Sequence, residues 1–189
     1  MSTENYNKSL IYLVGFMGSG KSTIGPILAN ALGFQFLDID NIIEEKVNKT
    51  IPEIFQTDGE AAFREIERSA LQELKSSSDT VIALGGGTIT NPENLKIAKE
   101  NGILVYLKIS PEEILQRIQH HSGDRPMLTD ASGNPLTGKQ LEQRVRQLLE
   151  MREKYYSQSD IIIQSDNLRL GVTVDEIIRK LRAYLNPKD

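Results

Sequence analysis

Short runs of apolar residues alternate along the chain with longer segments whose apolar positions recur every three to four residues. The short runs are typical of buried strands, and the longer segments are typical of amphipathic helices. Strands that alternate with helices predict a parallel sheet that is covered by helices on both faces. We therefore expect an α/β protein with three layers, α/β/α, around a five-stranded parallel sheet. Its predicted strands are residues 10–14, 34–37, 81–84, 103–107 and 161–163.

The segments between the predicted strands differ in length and character. A helical insert, about residues 39–74, lies between the second and third strands and could build a second ligand site. Residues 121–138 are rich in Gly and Pro and have few apolar anchors, which is typical of a lid. A helix is expected from residue 139 to about residue 156. The first helix presents four apolar residues at helical spacing: Ile27, Leu28, Ala31 and Leu32.

Composition narrows the class of protein. A chain of 189 residues with 39% hydrophobic and 25% charged residues suits one globular domain, residues 1–189. The apolar runs are too short to span a bilayer, and the polar first residues do not resemble a signal peptide. The absence of cysteine excludes disulfides and thiol nucleophiles. A net charge of −4 without a basic cluster disfavours nucleic acid. We expect a cytoplasmic protein with no membrane or nucleic-acid partner.

The residues that follow the first strand form a glycine-rich loop, LVGFMGSGKSTIG. Gly15, four residues and then Gly20-Lys21-Ser22 match the P-loop pattern, which binds nucleotide phosphates. Its backbone amides surround phosphate oxygens, its lysine adds positive charge, and its serine hydroxyl ligates Mg²⁺. A Gly-rich turn that merely ends in lysine is the alternative. The pattern predicts ATP binding, with Mg²⁺ as cofactor, by Gly18, Ser19, Gly20, Lys21, Ser22 and Thr23.

Two acidic residues, Asp38 and Asp40, follow the second predicted strand. In an open α/β sheet ligands bind at the carboxyl ends of the strands. One carboxylate could therefore hold Mg²⁺ and the other could bind or deprotonate an acceptor hydroxyl. An N-cap for the next helix is the alternative interpretation of such an aspartate.

Three consecutive glycines, Gly85, Gly86 and Gly87, follow the third strand. A tight turn would need only one or two of them, so the third favours close approach of a ligand. This loop lacks an aspartate that could ligate Mg²⁺, and the task then falls to Asp38. Arginines bind carboxylates in bidentate fashion, which makes Arg64, close to Glu67, and Arg152 candidates. Sequence spacing alone favours a solvated surface charge for each of them.

In their order along the chain, these motifs resemble those of the shikimate kinases, from about residue 10 to the last helix. The matching motifs are the P-loop, Asp38-Ile39-Asp40, a helical Asp58-Gly59-Glu60 with Phe63-Arg64 and Glu67, Leu84-Gly85-Gly86-Gly87, Arg125-Pro126 and Arg152. The resemblance implies ATP-dependent phosphorylation of the 3-hydroxyl of shikimate, giving shikimate 3-phosphate and ADP on the way to chorismate and the aromatic amino acids. It also implies a monomer.

The resemblance further implies a role for each matching residue. Lys21, Asp40 and Arg125 would be catalytic, with Arg125 on the lid, and Arg117 would lie against adenine. Ser22 and Asp38 would serve Mg²⁺. Shikimate would be bound by Asp40, Phe55, Phe63, Arg64, Gly85, Gly86, Gly87 and Arg152, with Glu67 orienting Arg64.

The chain departs from the family pattern at two points, and other functions stay open. Residues 152–156 lack the proline that often follows the family's arginine, and Met127 stands where leucine is usual. A P-loop kinase for gluconate or for a nucleoside monophosphate is one alternative. A nucleotide-binding regulator without catalysis is another.

Overall fold

The computed structural model describes residues 10–120, 126–130, 132–166 and 169–186. Five strands and eight α-helices alternate in this part of the chain. The strands are β1 Leu10–Val14, β2 Gln35–Asp38, β3 Thr80–Ala83, β4 Ile103–Lys108 and β5 Ile161–Gln164. The helices are α1 Lys21–Leu32, α2 Ile39–Val47, α3 Ile51–Thr57, α4 Gly59–Leu74, α5 Pro92–Asn101, α6 Pro111–His120, α7 Gly138–Tyr156 and α8 Leu170–Leu185.

The five strands form one sheet in the order β2-β3-β1-β4-β5, and every pair is parallel. This confirms the predicted α/β architecture and its five strands. The strand bounds agree with the apolar runs to within one residue at each end; β2, for example, ends on Asp38, which pairs with Ala83. The carboxyl ends of β1, β2 and β3 therefore meet at one edge, where the P-loop, the two aspartates and the triple glycine begin.

Each face of the sheet carries its own hydrophobic core, because alternate side chains of a strand point to opposite faces. On one face Tyr12 and Tyr106 pack with residues of α2 to α7. On the other face Leu13 and Val105 pack against α1 and α8. Both faces of the central strands are thus covered, as the continuous apolar runs predicted.

Helix α1 forms where the apolar spacing predicted it, and of the four apolar residues Leu28 is buried and Leu32 packs against the core. Ile27 is 41% exposed and Ala31 is exposed, whereas Ile24, Gly25, Leu28 and Ala29 are buried. The cause is a close contact at Gly25, where a Cβ atom would lie 2.1 Å from the Phe36 ring. The helix packs on the sheet through this glycine, and residues 27 and 31 consequently point away from it.

The helical insert and the helix that follows the predicted lid were predicted correctly. Helix α4 buries Phe63, Ala70, Leu71 and Leu74, and α7 buries Leu141, Val145 and Leu148. In the part of the chain that the structure describes, no helix is long and apolar enough to cross a membrane.

Of the predicted lid, residues 121–125 and 131 lie outside the described residues. The described part contains a short 3₁₀ turn, Pro126–Leu128, whose Leu128 is buried in the core. Leu128 also accepts a backbone hydrogen bond from the amide of Leu136, and Thr129 pairs with Pro135. This end of the predicted lid is therefore anchored to the body of the protein.

Candidate active site

The P-loop links β1 to α1 through glycines in backbone conformations that other residues rarely adopt. The φ angles are 147° at Gly15, 78° at Gly18 and 99° at Gly20. Gly20 is the residue before the first turn of α1, so the free amides of that turn point out of the helix start. The loop thus has the geometry of an anion site at a helix N-terminus.

A cavity of about 410 Å³ lies against the P-loop. Arg117 borders it from α6, where Nη1 donates to the Gly18 carbonyl at 3.0 Å and Nε contacts Glu113 Oε1 at 2.8 Å. Sequence reasoning missed Glu113 and the cavity residues that lie outside the P-loop and α6 (Ser165, Leu170 and Thr173), because none of them belongs to a motif. The lining comprises Gly18, Ser19, Gly20, Lys21, Ser22, Thr23, Ile24, Arg117, Ser165, Leu170 and Thr173.

Lys21 begins α1 and turns its ammonium group back into the loop. Nζ donates to the carbonyls of Gly15 at 2.9 Å and Phe16 at 3.2 Å. Burial lowers the pKa of Lys21 to about 8, although the negative charges of Asp40 and Asp38 oppose the shift. The charges of Asp38 and Asp40 therefore compensate only in part for the burial of the Lys21 ammonium group. A phosphate or other anion beside the loop would stabilise its charged form further.

The side chain of Asp38 caps α2, as the alternative interpretation of its sequence position predicted, and it also contacts the P-loop serine. Its Oδ1 accepts from the amide of Asp40 at 3.1 Å and caps α2, and its Oδ2 accepts from Ser22 Oγ at 2.7 Å. The cap orients the carboxylate, and the second oxygen joins the P-loop serine. Two oxygen groups of the kind that Mg²⁺ prefers are therefore adjacent.

Asp40 lies in the first turn of α2, between the P-loop and the glycine loop. Burial and, to a smaller extent, the negative charge of Asp38 raise the pKa of Asp40 to about 6, against the opposing effect of Lys21. A carboxyl group whose pKa of about 6 is close to neutral pH can accept a proton during a reaction.

The glycine loop, residues 85–87, brings four charged side chains together. A Cβ on Gly85 would lie 3.0 Å from Glu67 and 3.1 Å from Asp40. A Cβ on Gly86 would lie 3.3 Å from Arg152, and one on Gly87 would lie 2.9 Å from both terminal nitrogens of Arg64. None of the three residues has a positive φ, so close approach rather than turn geometry requires glycine.

Arg64 projects from α4 and is held by carboxylates on two sides. Nη1 contacts Glu67 Oε2 and Nη2 contacts Glu60 Oε1, both at 3.0 Å. Glu67 is only 1% exposed and accepts from Thr88 Oγ1 at 2.6 Å. The Arg64–Glu67 contact is the one that the sequence indicated, while Thr88 was missed. Phe55 and Phe63, the predicted ring contacts, lie against each other with centroids 4.9 Å apart.

Arg152 reaches the glycine loop from α7. The family's proline, which this chain lacks, is therefore not needed for this contact. Arg152 is only 6% exposed, and its guanidinium lies 5.4 Å from the centroid of the Phe16 ring. Four residues further on, buried Tyr156 donates its hydroxyl to the Gly86 carbonyl. Helix α7 continues to Tyr156, as the sequence predicted, but sequence reasoning assigned no role to the Tyr156 side chain. Neither arginine is a solvated surface charge.

Arg125, the predicted lid cation, lies outside the described residues. The remaining predicted residues surround two adjacent regions, the P-loop cavity and the glycine loop with its two arginines. Asp40 is close to both, because its charge acts on Lys21 and its carboxylate lies near the position of a Gly85 Cβ.

This fold and this pair of regions define a P-loop phosphotransferase for a small acceptor. The sequence model of the family described as shikimate kinase matches residues 17–182. The chain belongs to the shikimate kinase family.

Relatives and solved structures agree with this family. The chain is 47% identical over 177 residues to a shikimate kinase of Chlorobaculum parvum, with 94% of each chain covered. The shikimate kinase of Acinetobacter baumannii, solved in complex with shikimate, superposes with a TM-score of 0.84 at 38% identity, covering 93% of both chains. The shikimate kinase of Bacteroides thetaiotaomicron gives a TM-score of 0.82 at 32% identity, covering 92% of this chain and 98% of its own.

Proposed function

We propose that this protein transfers the γ-phosphoryl group of ATP to the 3-hydroxyl of shikimate, giving shikimate 3-phosphate and ADP. The observation that carries the proposal is the convergence of Arg64 and Arg152 on the glycine loop beside the P-loop. Two arginines and a side-chain-free backbone suit a carboxylate, and shikimate has one carboxylate on its ring. Family membership supports the same reaction, which would serve the synthesis of chorismate and the aromatic amino acids.

ATP would occupy the P-loop cavity. Its phosphates would accept from the amides of residues 18–23, and Lys21 would stabilise the charge on the transferred phosphoryl group. Arg117 would lie beside the adenine, where Glu113 holds its guanidinium. Arg125 would add a second cation to the phosphates from the lid, a role that rests on the sequence alone.

Mg²⁺ would join ATP at Ser22 and Asp38. The fit is chemical, because a hydroxyl and a carboxylate oxygen 2.7 Å apart are hard oxygen ligands beside the phosphate cavity. Among the residues that the structure describes, no group of three His, Cys, Asp or Glu could hold a metal. A magnesium ion that takes its other ligands from phosphates and water needs no such group. When bound, Mg²⁺ neutralises phosphate charge.

The acceptor would lie with its carboxylate on Arg64, Arg152 and the backbone of residues 85–87, and with its ring beside Phe55 and Phe63. Asp40 would accept hydrogen bonds from its hydroxyls. As the 3-hydroxyl oxygen bonds to the γ-phosphorus, the bond from that phosphorus to the bridging oxygen breaks, and the hydroxyl proton passes to Asp40. The pKa of Asp40, raised by burial to about 6, suits this transfer.

Three further properties belong to the same proposal. The chain would act as one domain, residues 1–189, and as a monomer, as the resemblance of its motifs to those of the family implies. It would work in the cytoplasm, where ATP is available.

A coupled assay of ADP release tests the proposed reaction. With Mg²⁺ and ATP we expect turnover with shikimate and background rates with gluconate, with AMP or without an acceptor. Chemical identification of shikimate 3-phosphate in the mixture excludes simple ATP hydrolysis. Comparable rates with gluconate or AMP would instead favour another small-molecule kinase, and nucleotide binding without any turnover would favour a regulator.

A further inference from the structure

Glu67 is a buried carboxylate whose two oxygens have different partners. Oε2 accepts from Arg64 Nη1 at 3.0 Å, and Oε1 accepts from the Thr88 hydroxyl at 2.6 Å. A buried charge is costly unless its hydrogen-bonding capacity is satisfied. The Thr88 hydroxyl therefore determines how Glu67 is oriented and, through Glu67, where the Arg64 guanidinium lies.

The backbone of Thr88 is itself held in place by hydrogen bonds. Thr88 is fully buried and begins the 3₁₀ turn Thr88–Thr90 directly after the glycine loop. Its amide donates to the Gly85 carbonyl at 3.1 Å, and its carbonyl accepts from Nδ2 of buried Asn94 at 3.0 Å. The hydroxyl thus extends from a residue with little freedom to move.

We propose that Thr88 is a positioning residue for the acceptor carboxylate, because one residue links the glycine loop to Arg64. Its amide is bonded to the loop and its hydroxyl to Glu67, which holds Arg64 against Gly87. The link sets the spacing between the two groups that would bind the carboxylate, the loop backbone and the guanidinium. The inference rests on the proposed function and adds a residue that touches neither substrate.

The decisive variant is Thr88→Val, which keeps the shape of the side chain and removes the donor. We expect the KM for shikimate to rise at least about fivefold, because the lost hydrogen bond is one to a charged group, which contributes more than a hydrogen bond between neutral groups. The KM for ATP should stay within about twofold, since the P-loop lacks this link. Thr88→Ser keeps the hydroxyl and should restore the KM to within about threefold of the wild type. These ratios are expectations for one lost hydrogen bond acting through a second residue.

Thr80→Val is the matched control. Thr80 is also buried, and its hydroxyl donates to the Ser78 carbonyl at 2.7 Å, but it lies at the opposite end of β3. This variant should change thermal stability as much as Thr88→Val does and should leave the KM for shikimate unchanged. A KM that rises equally in both variants would mean a general structural effect and would overturn the inference.

A double-mutant cycle with Arg64→Ala distinguishes positioning from packing. If Thr88 acts through Arg64, Thr88→Val should have no further effect on shikimate affinity once Arg64 is removed. Additive effects would refute the link. Should Thr88→Val fail to fold, Thr88→Ala removes the same donor and is judged by the same cycle.

Failure of this inference and failure of the proposed function give different results. Wild-type turnover of shikimate with an unchanged KM in Thr88→Val refutes only the role of Thr88. Absence of wild-type turnover, with tight binding of shikimate that Thr88→Val weakens in calorimetry, refutes only the reaction. Absence of both refutes both.

Discussion

At the scale of single residues, the glycine loop consists of glycines because charged side chains of other elements lie close to it. A Cβ atom added to Gly85, Gly86 or Gly87 would lie about 3 Å from a charged side chain of another element. The loop therefore acts as the surface on which charges from α2, α4 and α7 meet. A methyl group at any of these positions would displace a charged side chain and would not strain the backbone of the loop, since none of the three residues has a positive φ.

Gly87→Ala tests this view. The new Cβ would lie 2.9 Å from Nη1 and Nη2 of Arg64, which are the flexible end of a long side chain. We expect the arginine to move, the KM for shikimate to rise severalfold and the melting temperature to change little. Steady-state kinetics and thermal unfolding measure the two effects. Gly171→Ala is the control, because nothing lies within 4 Å of its Cβ; a large loss of stability in Gly87→Ala alone would contradict the explanation.

Asp40→Asn should stabilise the protein at neutral pH. Because burial raises the pKa of Asp40 from 3.8 to about 6, the folded protein keeps this proton in a pH range where the unfolded chain has lost it. The free energy of unfolding that this group contributes therefore falls as pH rises from about 4 to 6. The variant lacks this loss, so its melting temperature should exceed the wild type at pH 7.5, and the difference should disappear near pH 4.

Thermal unfolding followed by circular dichroism from pH 4 to 8 provides the measurement. The exposed Asp175 supplies a control variant, Asp175→Asn, whose difference from the wild type should not follow this profile. An Asp40→Asn protein that is less stable than the wild type at pH 7.5 would show that the carboxylate supports the fold.

At the scale of elements, local motifs were predictable and long-range geometry was not. The P-loop, the strand-end aspartates and the faces of α4 and α7 follow from short patterns. The angle at which α7 meets the glycine loop depends on packing between distant segments, so spacing alone left Arg152 open. The same limit hid Thr88 and Tyr156, whose hydrogen bonds join residues 21 and 70 positions apart.

Arg64→Ala and Arg152→Ala test the contribution of helices α4 and α7 to acceptor binding. Each should raise the KM for shikimate far more than the KM for ATP, because removing one partner of a buried charge-assisted contact costs about 2 to 5 kcal/mol. Kinetics with each substrate varied in turn measure the difference.

Arg146→Ala is the control for both arginine variants. Arg146 also lies on α7, but it forms exposed ion pairs with Glu112 and Glu142. It should leave both KM values near those of the wild type. Equal changes for ATP and shikimate in Arg64→Ala or Arg152→Ala would remove that arginine from the acceptor site.

At the scale of the whole molecule, two ligand regions share one sheet edge and the predicted lid connects α6 to α7. Helix α6 carries Arg117 beside the nucleotide cavity, and α7 carries Arg152 beside the glycine loop. A segment that joins these helices could respond to both ligands. Residues 126–130 and 132–138 provide its anchored end through Leu128.

Arg125→Ala should lower kcat strongly and leave shikimate binding nearly unchanged. The reason is that a cation delivered to the phosphates stabilises charge in the transition state and has no contact with the acceptor carboxylate. Rapid-quench kinetics and calorimetry with shikimate measure the two quantities. A weakened affinity for shikimate with normal kcat would move Arg125 to the acceptor side.

The position of β1 in the middle of the sheet has a consequence during synthesis. Its Leu10 pairs with Thr80 and its Ile11 with Ile103, so the strand that leads into the P-loop leaves the ribosome long before either partner. At about 5 to 20 residues per second, the gap to β4 lasts roughly 5 to 20 seconds. One edge of this apolar strand stays unpaired and open to aggregation until then, and the other edge stays unpaired until β3 has emerged. The strand that leads into the P-loop is thus translated well before the two strands that hold it in the sheet.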